Sequence, residues 1–225
     1  FQAEDGIRDL RMSRGLGDEY KRQPSWTQKA EVRVNGKKVS AAPVAGKYLC
    51  INREWANGDR VELTLPMSLS MRTWQVNKNS VSVDYGPLTL SLKIAEKYVE
   101  KDSRETAIGD SKWQKGADSK KWPTTEIYPD SPWNYSLVLD KKEPLKNFKV
   151  IRKSWPADNY PFTATSVPLE VKAIGRPVPE WKIDETGLCG VLPEEDAVKG
   201  DKEEITLIPM GAARLRISAF PNTKE

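Results

Sequence analysis

Short runs of alternating apolar and polar residues, separated by turn residues, dominate the chain from Ser25 onward. A period of two is typical of strands with one buried face, because successive side chains of a strand point to opposite sides of the sheet. No amphipathic helical pattern of any length lies among these runs. The sequence therefore predicts an all-β protein with two antiparallel β-sandwich domains of jelly-roll-like type.

The pair Asn35-Gly36 gives the strongest local prediction. It lies between the alternating runs Glu31–Val34 and 37–39. A type I′ turn needs positive φ at both central residues, and Asn-Gly is the pair that best tolerates this conformation. We therefore expect a tight hairpin here.

Other alternating runs predict further strands in both halves of the chain. In the first half, Val61, Leu63 and Leu65 are expected to face inward. The predicted strands are residues 48–51, 61–65, 81–85 and 88–92, followed by 135–139, 148–151, 169–174, 204–208 and 215–219.

Changes in composition divide the chain into four parts. Residues 1–22 lack a clean period, and residues 1–9 resemble a translated sequencing adapter, so this stretch is interpreted as an artefact or irregular leader of a truncated metagenomic fragment. Residues 23–98 are predicted to form the first sandwich and residues 122–225 a second β-rich domain. The polar interval 99–121 mixes charges of both signs and is typical of a linker or solvated loop.

The chain contains no histidine and two cysteines, Cys50 and Cys189. Histidine exchanges protons near neutrality and is the commonest metal ligand. Its absence excludes Ser-His-Asp and Cys-His nucleophilic sites, and two distant thiols cannot supply a four-ligand zinc site of Cys and His. The thiols either form one disulfide or remain as two small buried side chains, and Cys50 is expected on the strand face opposite Leu49 and Ile51.

Charge patterning favours neither nucleic acid nor membrane as a partner. The 36 basic and 32 acidic residues leave a formal net charge of +4, without a long run of like charges or a basic strip interleaved with aromatic residues. No apolar stretch reaches the length of a membrane span. The cellular compartment stays open.

Acidic residues cluster at 194–196, after Pro193 in a turn-like polar stretch. Asp201, Glu203 and Glu204 precede a predicted strand in the same way. An exposed carboxylate with an ordinary pKa is a poor acid catalyst at neutral pH, so these residues are interpreted as solubilising.

Weak motifs recur in a fixed order from residue 24 to the end of the chain. They are Pro24-Ser25-Trp26, Val34-Asn35-Gly36, Tyr48, Arg53-Glu54-Trp55, Gly58-Asp59, Leu65-Pro66 and Tyr85-Gly86-Pro87-Leu88, and then Ser131-Pro132-Trp133-Asn134-Tyr135, Trp155-Pro156-Ala157-Asp158-Asn159 and residues 207–216. In this order and spacing they resemble the region that follows the catalytic barrel in glycoside hydrolase family 127, which includes β-L-arabinofuranosidases.

The resemblance implies an exo-acting retaining glycosidase whose active site lies in an α/α barrel, with β-sandwich domains after it. It also implies a cysteine nucleophile on a zinc ion and a glutamate acid/base, all within the barrel, so no catalytic residue and no cofactor is assigned to this sequence. The predicted function is a non-catalytic accessory region whose partners are the missing barrel and the carbohydrate substrate of the parent enzyme. A free-standing carbohydrate-binding or adhesion module is the alternative.

Aromatic residues are the remaining candidates for ligand contact. Trp55 is expected to fill the core beside its strand. Trp122, Trp133 and Tyr135 lie near the predicted domain junction, and two interpretations stay open for them: a ligand platform, or a contact with the barrel. The accessory function predicts a large exposed apolar patch, whereas the alternative predicts a groove lined by two or three coplanar rings.

Overall fold

A computed structural model describes residues 16–22, 24–27, 29–40, 43–102, 118, 120–185, 187–194 and 196–225. These residues form fifteen strands and one short 3₁₀ helix at Met210–Ala212, so the prediction of an all-β fold is confirmed. The strands are β1 (Leu16–Arg22), β2 (Glu31–Val34), β3 (Lys37–Lys38), β4 (Tyr48–Glu54), β5 (Val61–Thr64), β6 (Leu69–Trp74), β7 (Ser80–Tyr85), β8 (Leu88–Leu92), β9 (Glu96–Lys101), β10 (Thr124–Pro129), β11 (Tyr135–Leu139), β12 (Lys149–Arg152), β13 (Leu169–Pro177), β14 (Glu203–Pro209) and β15 (Asn222–Lys224).

The chain divides into two compact units, each assembled from segments that are separate in the sequence. The first unit comprises Phe1–Leu69 and Tyr85–Pro87, and the second comprises Ser70–Asp84 and Leu88–Glu225. The physical reason is long-range strand pairing: β8 pairs with β14, with Leu92 opposite Leu207, and draws its neighbours into the later sheet. The predicted boundary at residue 98 therefore falls inside the second unit.

In the first unit, the two-stranded sheet β1-β4 and the three-stranded sheet β3-β2-β5 share one apolar core. Val32 and Val34 from β2 pack with Leu49 and Ile51 from β4. Trp55 packs against this cluster, as predicted. Burial of these side chains supplies the main stabilising free energy of such a small unit.

Three local predictions for the first unit meet different outcomes. Asn35 and Gly36 have φ values of 51° and 76°, so the predicted I′-type hairpin between β2 and β3 is confirmed. Val61 packs against the core, but Leu63 is 45% exposed, so its predicted inward position is wrong. Residues 16–22, assigned to the leader, form β1 and pair with β4, whereas residues 1–9 lie outside the described part of the chain.

The second unit is built on an eight-stranded sheet with the order β15-β11-β13-β14-β8-β7-β6, and β12 also pairs with β13. All pairs with a described register are antiparallel except β11 with β15, which is parallel. Every residue of β7 and β11 is buried. These strands are therefore covered on both faces, which explains why their sequences need not alternate strictly.

The hairpin of β9 and β10 forms a separate two-stranded sheet. The predicted linker 99–121 therefore begins inside β9, and residues 103–117 and 119 lie outside the described part. The predicted strand at 215–219 is wrong, because the structure has no strand there. Its backbone instead meets β8 at isolated points: Leu92 N donates to Ile217 O at 2.8 Å.

Candidate ligand-binding hollow and exposed aromatic loop

The three aromatic residues predicted as contacts occupy different environments. Trp122 is 67% exposed just before β10. Tyr135 is 6% exposed at the start of β11, and burial, reinforced by a hydrogen bond with Glu203, raises its pKa to about 12. Trp133 is partly buried and lines an open hollow in the second unit. Of the three, Trp133 alone lines the hollow among the described residues.

The hollow has a volume of about 490 Å³ and a mainly apolar floor. Its described walls come from five separate segments: Ile94, β10, the turn before β11, residues 183 and 187–189, and residues 214–217. Its lining includes the side chains of Trp133, Ile127, Ile183, Leu188, Arg214 and Arg216. An apolar surface with a few converging polar groups is the usual form of a small-molecule site.

Packing fixes the Trp133 ring at the edge of the hollow. It meets the ring of Trp181 edge to face, with centroids 5.2 Å apart and planes at 66°. Trp181 is itself buried, and its Nε1 donates to Gly190 O at 3.0 Å. Next to Trp133, Asn134 Nδ2 donates to Val178 O at 2.9 Å. The ring is therefore preorganised for a ligand contact.

The two arginines of the hollow differ in how their guanidinium groups are engaged. Arg214 Nη1 donates to the Tyr98 hydroxyl at 2.6 Å and lies 3.7 Å from Glu96 Oε2. The Tyr98 hydroxyl in turn donates to Glu96 Oε2 at 2.5 Å, and this hydrogen bond is the main reason that the pKa of Tyr98 is raised. In the described part of the structure, Arg216 makes one hydrogen bond, from Nε to Ala213 O at 2.8 Å. Its two terminal nitrogens are left for an incoming acceptor.

The acidic group at the rim of the hollow is already paired. Glu126 forms a 2.6 Å ion pair with Lys101 and also accepts a hydrogen bond from the Tyr128 hydroxyl. These contacts, led by the hydrogen bond from Lys101, lower the pKa of Glu126. Glu126 therefore stays ionised and neutralised by Lys101, which leaves the arginines as the dominant charge facing a ligand.

Two buried carboxylates, Asp84 and Glu170, are each paired with cationic side chains. Asp84 binds Arg72 through both oxygens. Glu170 Oε1 lies 2.8 Å from Lys93 Nζ and 2.6 Å from Lys153 Nζ. Burial alone would raise the pKa of Glu170, but the two lysines outweigh it and the pKa is lowered. A glycosidase acid needs the opposite shift.

Within the described part of the chain, the exposed acids and thiols do not gather into a metal site. Glu194 pairs with Lys78 at 2.5 Å, and Asp196, Asp201, Glu203 and Glu204 are exposed, as predicted; Glu195 lies outside the described part. Cys50 and Cys189 are both exposed and free, so neither a disulfide nor burial is correct. No group of three or more Cys, Asp or Glu in the described ranges is placed to hold a metal ion. The zinc implied by the family resemblance does not fit these residues.

Sequence reasoning missed an exposed aromatic loop at residues 155–162. Trp155, Tyr160 and Phe162 are 61%, 52% and 60% exposed, and the last two rings meet edge to face at 5.4 Å. Hydrogen bonds hold the loop in shape: Trp155 Nε1 donates to Asn159 Oδ1 at 2.7 Å, and Ser166 Oγ donates to Tyr160 O at 2.7 Å. The signal was present as three aromatic residues without strand alternation.

Comparisons with known proteins point to one family. Residues 20–67 match the sequence model of the β-L-arabinofuranosidase GH127 middle domain. The fold is similar to that of a solved glycoside hydrolase at 20% identity and a TM-score of 0.54, covering 94% of this chain and 28% of that chain. It is also similar to a GH127 β-L-arabinofuranosidase from Geobacillus stearothermophilus T6, at 19% identity and a TM-score of 0.51, covering 92% and 27%.

No curated protein matches the chain in sequence. The resemblance to family 127 predicted from the motifs is nevertheless confirmed by the family match and by the fold. The chain spans less than a third of the length of either solved structure. Within the described residues, no helix is long and apolar enough to span a membrane.

Proposed function

We propose that this chain, a relative of glycoside hydrolase family 127, is a non-catalytic accessory region that supports a catalytic α/α barrel of the β-L-arabinofuranosidase type. The match of residues 20–67 to the GH127 middle domain carries the proposal. The fold likeness extends it over more than nine-tenths of the chain. The zinc, the nucleophile and the acid/base then belong to the barrel.

The paired state of the buried carboxylates supports a non-catalytic role. Glycoside hydrolysis needs two opposed carboxyl groups, one of which keeps a proton near neutral pH. Glu170 has a lowered pKa because of its two lysines, and Asp84 is held by a two-pronged arginine contact. Both carboxylates are paired with cations that stabilise the fold, and the lowered pKa of Glu170 is the opposite of what a proton donor to a leaving group needs.

The aromatic loop at 155–162 is our candidate for the surface that contacts the barrel. Three aromatic side chains that each bury roughly 150–250 Å² in a typical contact leave about 300 Å² of apolar surface when they are half exposed. The largest apolar patch on a typical monomer measures about 300–600 Å² and is often functional, so a patch of this size is a candidate interaction site. The internal hydrogen bonds of the loop mean that docking would require little ordering of the backbone.

Activity of the isolated chain is the first test. The purified chain is incubated with an aryl β-L-arabinofuranoside, and release of the aryl group is followed beside a buffer blank and an active family 127 enzyme. We expect no release above the blank. Turnover that persists through further purification and is abolished by Glu170→Gln would overturn the non-catalytic role.

A chimera tests the supporting role. The aligned 27% of the Geobacillus enzyme is replaced by this chain, and the thermal midpoint and activity of the chimera are measured. Replacing Trp155, Tyr160 and Phe162 with serine should lower the midpoint of the chimera more than that of the isolated chain, because these side chains are more than half exposed in the isolated chain. The matched control replaces Val191 and Val198, also exposed apolar residues, with serine. Equal losses in both variants would reject the loop as the contact surface.

The alternative of a free-standing carbohydrate-binding module receives less support from ring geometry. It predicts two or three coplanar rings along a groove. The two aromatic pairs found among the described residues, Trp133 with Trp181 and Tyr160 with Phe162, are both edge to face. These two pairs therefore do not form a flat platform of neighbouring rings on which a sugar could stack.

A further inference from the structure

We propose that the hollow beside Trp133 binds a saccharide unit that carries a carboxylate, of the uronic acid class. The inference rests on the proposed function, since it assigns a substrate class to an accessory region of a glycoside hydrolase. It concerns binding only, and no bond is made or broken at this site. Three features of the hollow lead to it: a fixed aromatic ring, an apolar floor and an arginine pair.

The ring and the floor suit the carbon face of a sugar. Trp133 is held by Trp181 and presents a partly exposed indole at the edge of the hollow. Ile127 and Leu188 extend the apolar surface beside it. Sugar rings carry C–H groups on their faces and hydroxyls at their edges, so one face packs against such a surface while the edges stay hydrated.

The two arginines favour a negatively charged ligand. Arg214 and Arg216 both line the hollow and are both exposed. A guanidinium group binds a carboxylate through two parallel hydrogen bonds, which neutral hydroxyls cannot match. Arg216 has its terminal nitrogens available, whereas Arg214 is steadied by Tyr98 and Glu96. Arg216 is therefore the expected primary contact and Arg214 the secondary one.

Charge balance at the rim excludes a cationic ligand and favours an anionic one. The nearby carboxylate of Glu126 is neutralised by Lys101, and that of Glu96 lies beside Arg214. Among the described residues around the hollow, each of these acids is matched to a cation, and Arg216 contributes a positive charge without a partner among them. Electrostatic complementarity of this kind adds specificity more than affinity, so the site should discriminate sharply while binding weakly.

Calorimetric titration of the whole chain with an α-linked trimer of galacturonic acid tests the proposal. The fully methyl-esterified trimer keeps the same rings and removes the charge, and sodium acetate supplies the charge without a ring. We expect a Kd of about 0.1–1 mM for the acid, typical of a shallow open site. The ester should bind at least tenfold more weakly, and acetate should show no saturable binding. Added salt should weaken the binding of the acid trimer.

Two variants assign the binding to this hollow. Arg216→Gln is exposed and should fold normally, and we expect it to weaken binding of the acid about tenfold. Arg60→Gln, which removes an exposed guanidinium from the first unit, is the matched control and should leave the Kd unchanged. Equal binding of acid and ester, no saturation by the acid at about 10 mM, or an unaffected Arg216→Gln would overturn the proposal. Each of these outcomes leaves the chimera result untouched, so the two proposals fail separately.

Discussion

Arg72 and Asp84, on the neighbouring strands β6 and β7, are joined by two hydrogen bonds: Arg72 Nε donates to Asp84 Oδ2 at 2.6 Å, and Nη2 donates to Oδ1 at 3.0 Å. The carboxylate is buried, and the arginine side chain is 48% exposed. Thr89 Oγ1 adds a third hydrogen bond to Asp84 Oδ1 at 2.8 Å. The free energy of unfolding lost when the pair is broken should therefore depend on which of the two partners is replaced.

We predict that Arg72→Gln costs more stability than Asp84→Asn. Removing the arginine leaves a buried charge with Thr89 as its remaining partner among the contacts described, and we expect a loss of about 3 kcal/mol in the free energy of unfolding. Removing the carboxylate frees a half-exposed guanidinium that water can solvate, and the expected loss is about 1 kcal/mol. Urea denaturation measures both, with Arg60→Gln as the exposed control. The reverse order of the two losses would contradict the burial asymmetry.

A pH dependence follows from Glu170, whose pKa is below its ordinary value of 4.5 in the folded chain. Burial opposes this shift, but the contacts with Lys153 and Lys93 outweigh it. A lowered folded-state pKa adds stability above the unfolded value, and this contribution is lost as the pH falls through the folded value. The free energy of unfolding should therefore fall below about pH 4.5.

Glu170→Gln isolates that contribution. At pH 7 the variant should be less stable than the wild type, and the difference should shrink as the pH falls towards 3, because the wild-type carboxylate becomes neutral too. Denaturation curves at several pH values give the measurement, and Glu204→Gln, an exposed residue of β14 paired with Lys172, serves as the control. A difference that stays constant with pH would show that packing, and not charge, accounts for the loss.

Gly86 is predicted to be much less tolerant of alanine than Gly58. Both have positive φ, 58° and 93°, which disfavours any side chain. A Cβ at Gly86 would also lie 2.7 Å from Met67 Cγ, whereas at Gly58 it would meet no atom within 4 Å. We expect Gly86→Ala to cost about 3 kcal/mol and Gly58→Ala about 1 kcal/mol. Thermal or urea denaturation of the two variants checks the difference, and similar losses would show that Met67 moves aside freely.

The sequence predicted elements whose cause is local and missed those whose cause is distant. The Asn35-Gly36 turn depends on two residues, and it was found. The pairing of Leu92 with Leu207 joins strands that are far apart in the chain, and no local pattern reveals it. Ile217 is buried without belonging to a strand, so the alternating pattern around it led to the wrong prediction of a strand at 215–219.

The candidate site shows the same division. Trp133 was chosen as an aromatic residue near the predicted domain junction, a position that can be read from the sequence. Arg216 and Leu188 were missed because the fold, and not the sequence, brings their segments to the same hollow. Tyr135 was chosen with Trp133, yet it begins β11, a strand that is buried along its whole length, and is itself 6% exposed. Trp133 in a turn and Tyr135 in a strand therefore received the same interpretation, although their environments differ.

Thiol chemistry provides the last prediction. Cys50 and Cys189 are exposed in the folded chain and are not bonded to each other, so both should react with an aromatic disulfide reagent such as DTNB without denaturant. We expect two equivalents released per chain under native conditions, the same number after prior reduction, and one equivalent from either Cys50→Ser or Cys189→Ser. If the native chain releases none until it is reduced, the thiols are paired. If it releases them only in denaturant, they are buried, and the placement of β4 and of the segment beside Trp133 must change.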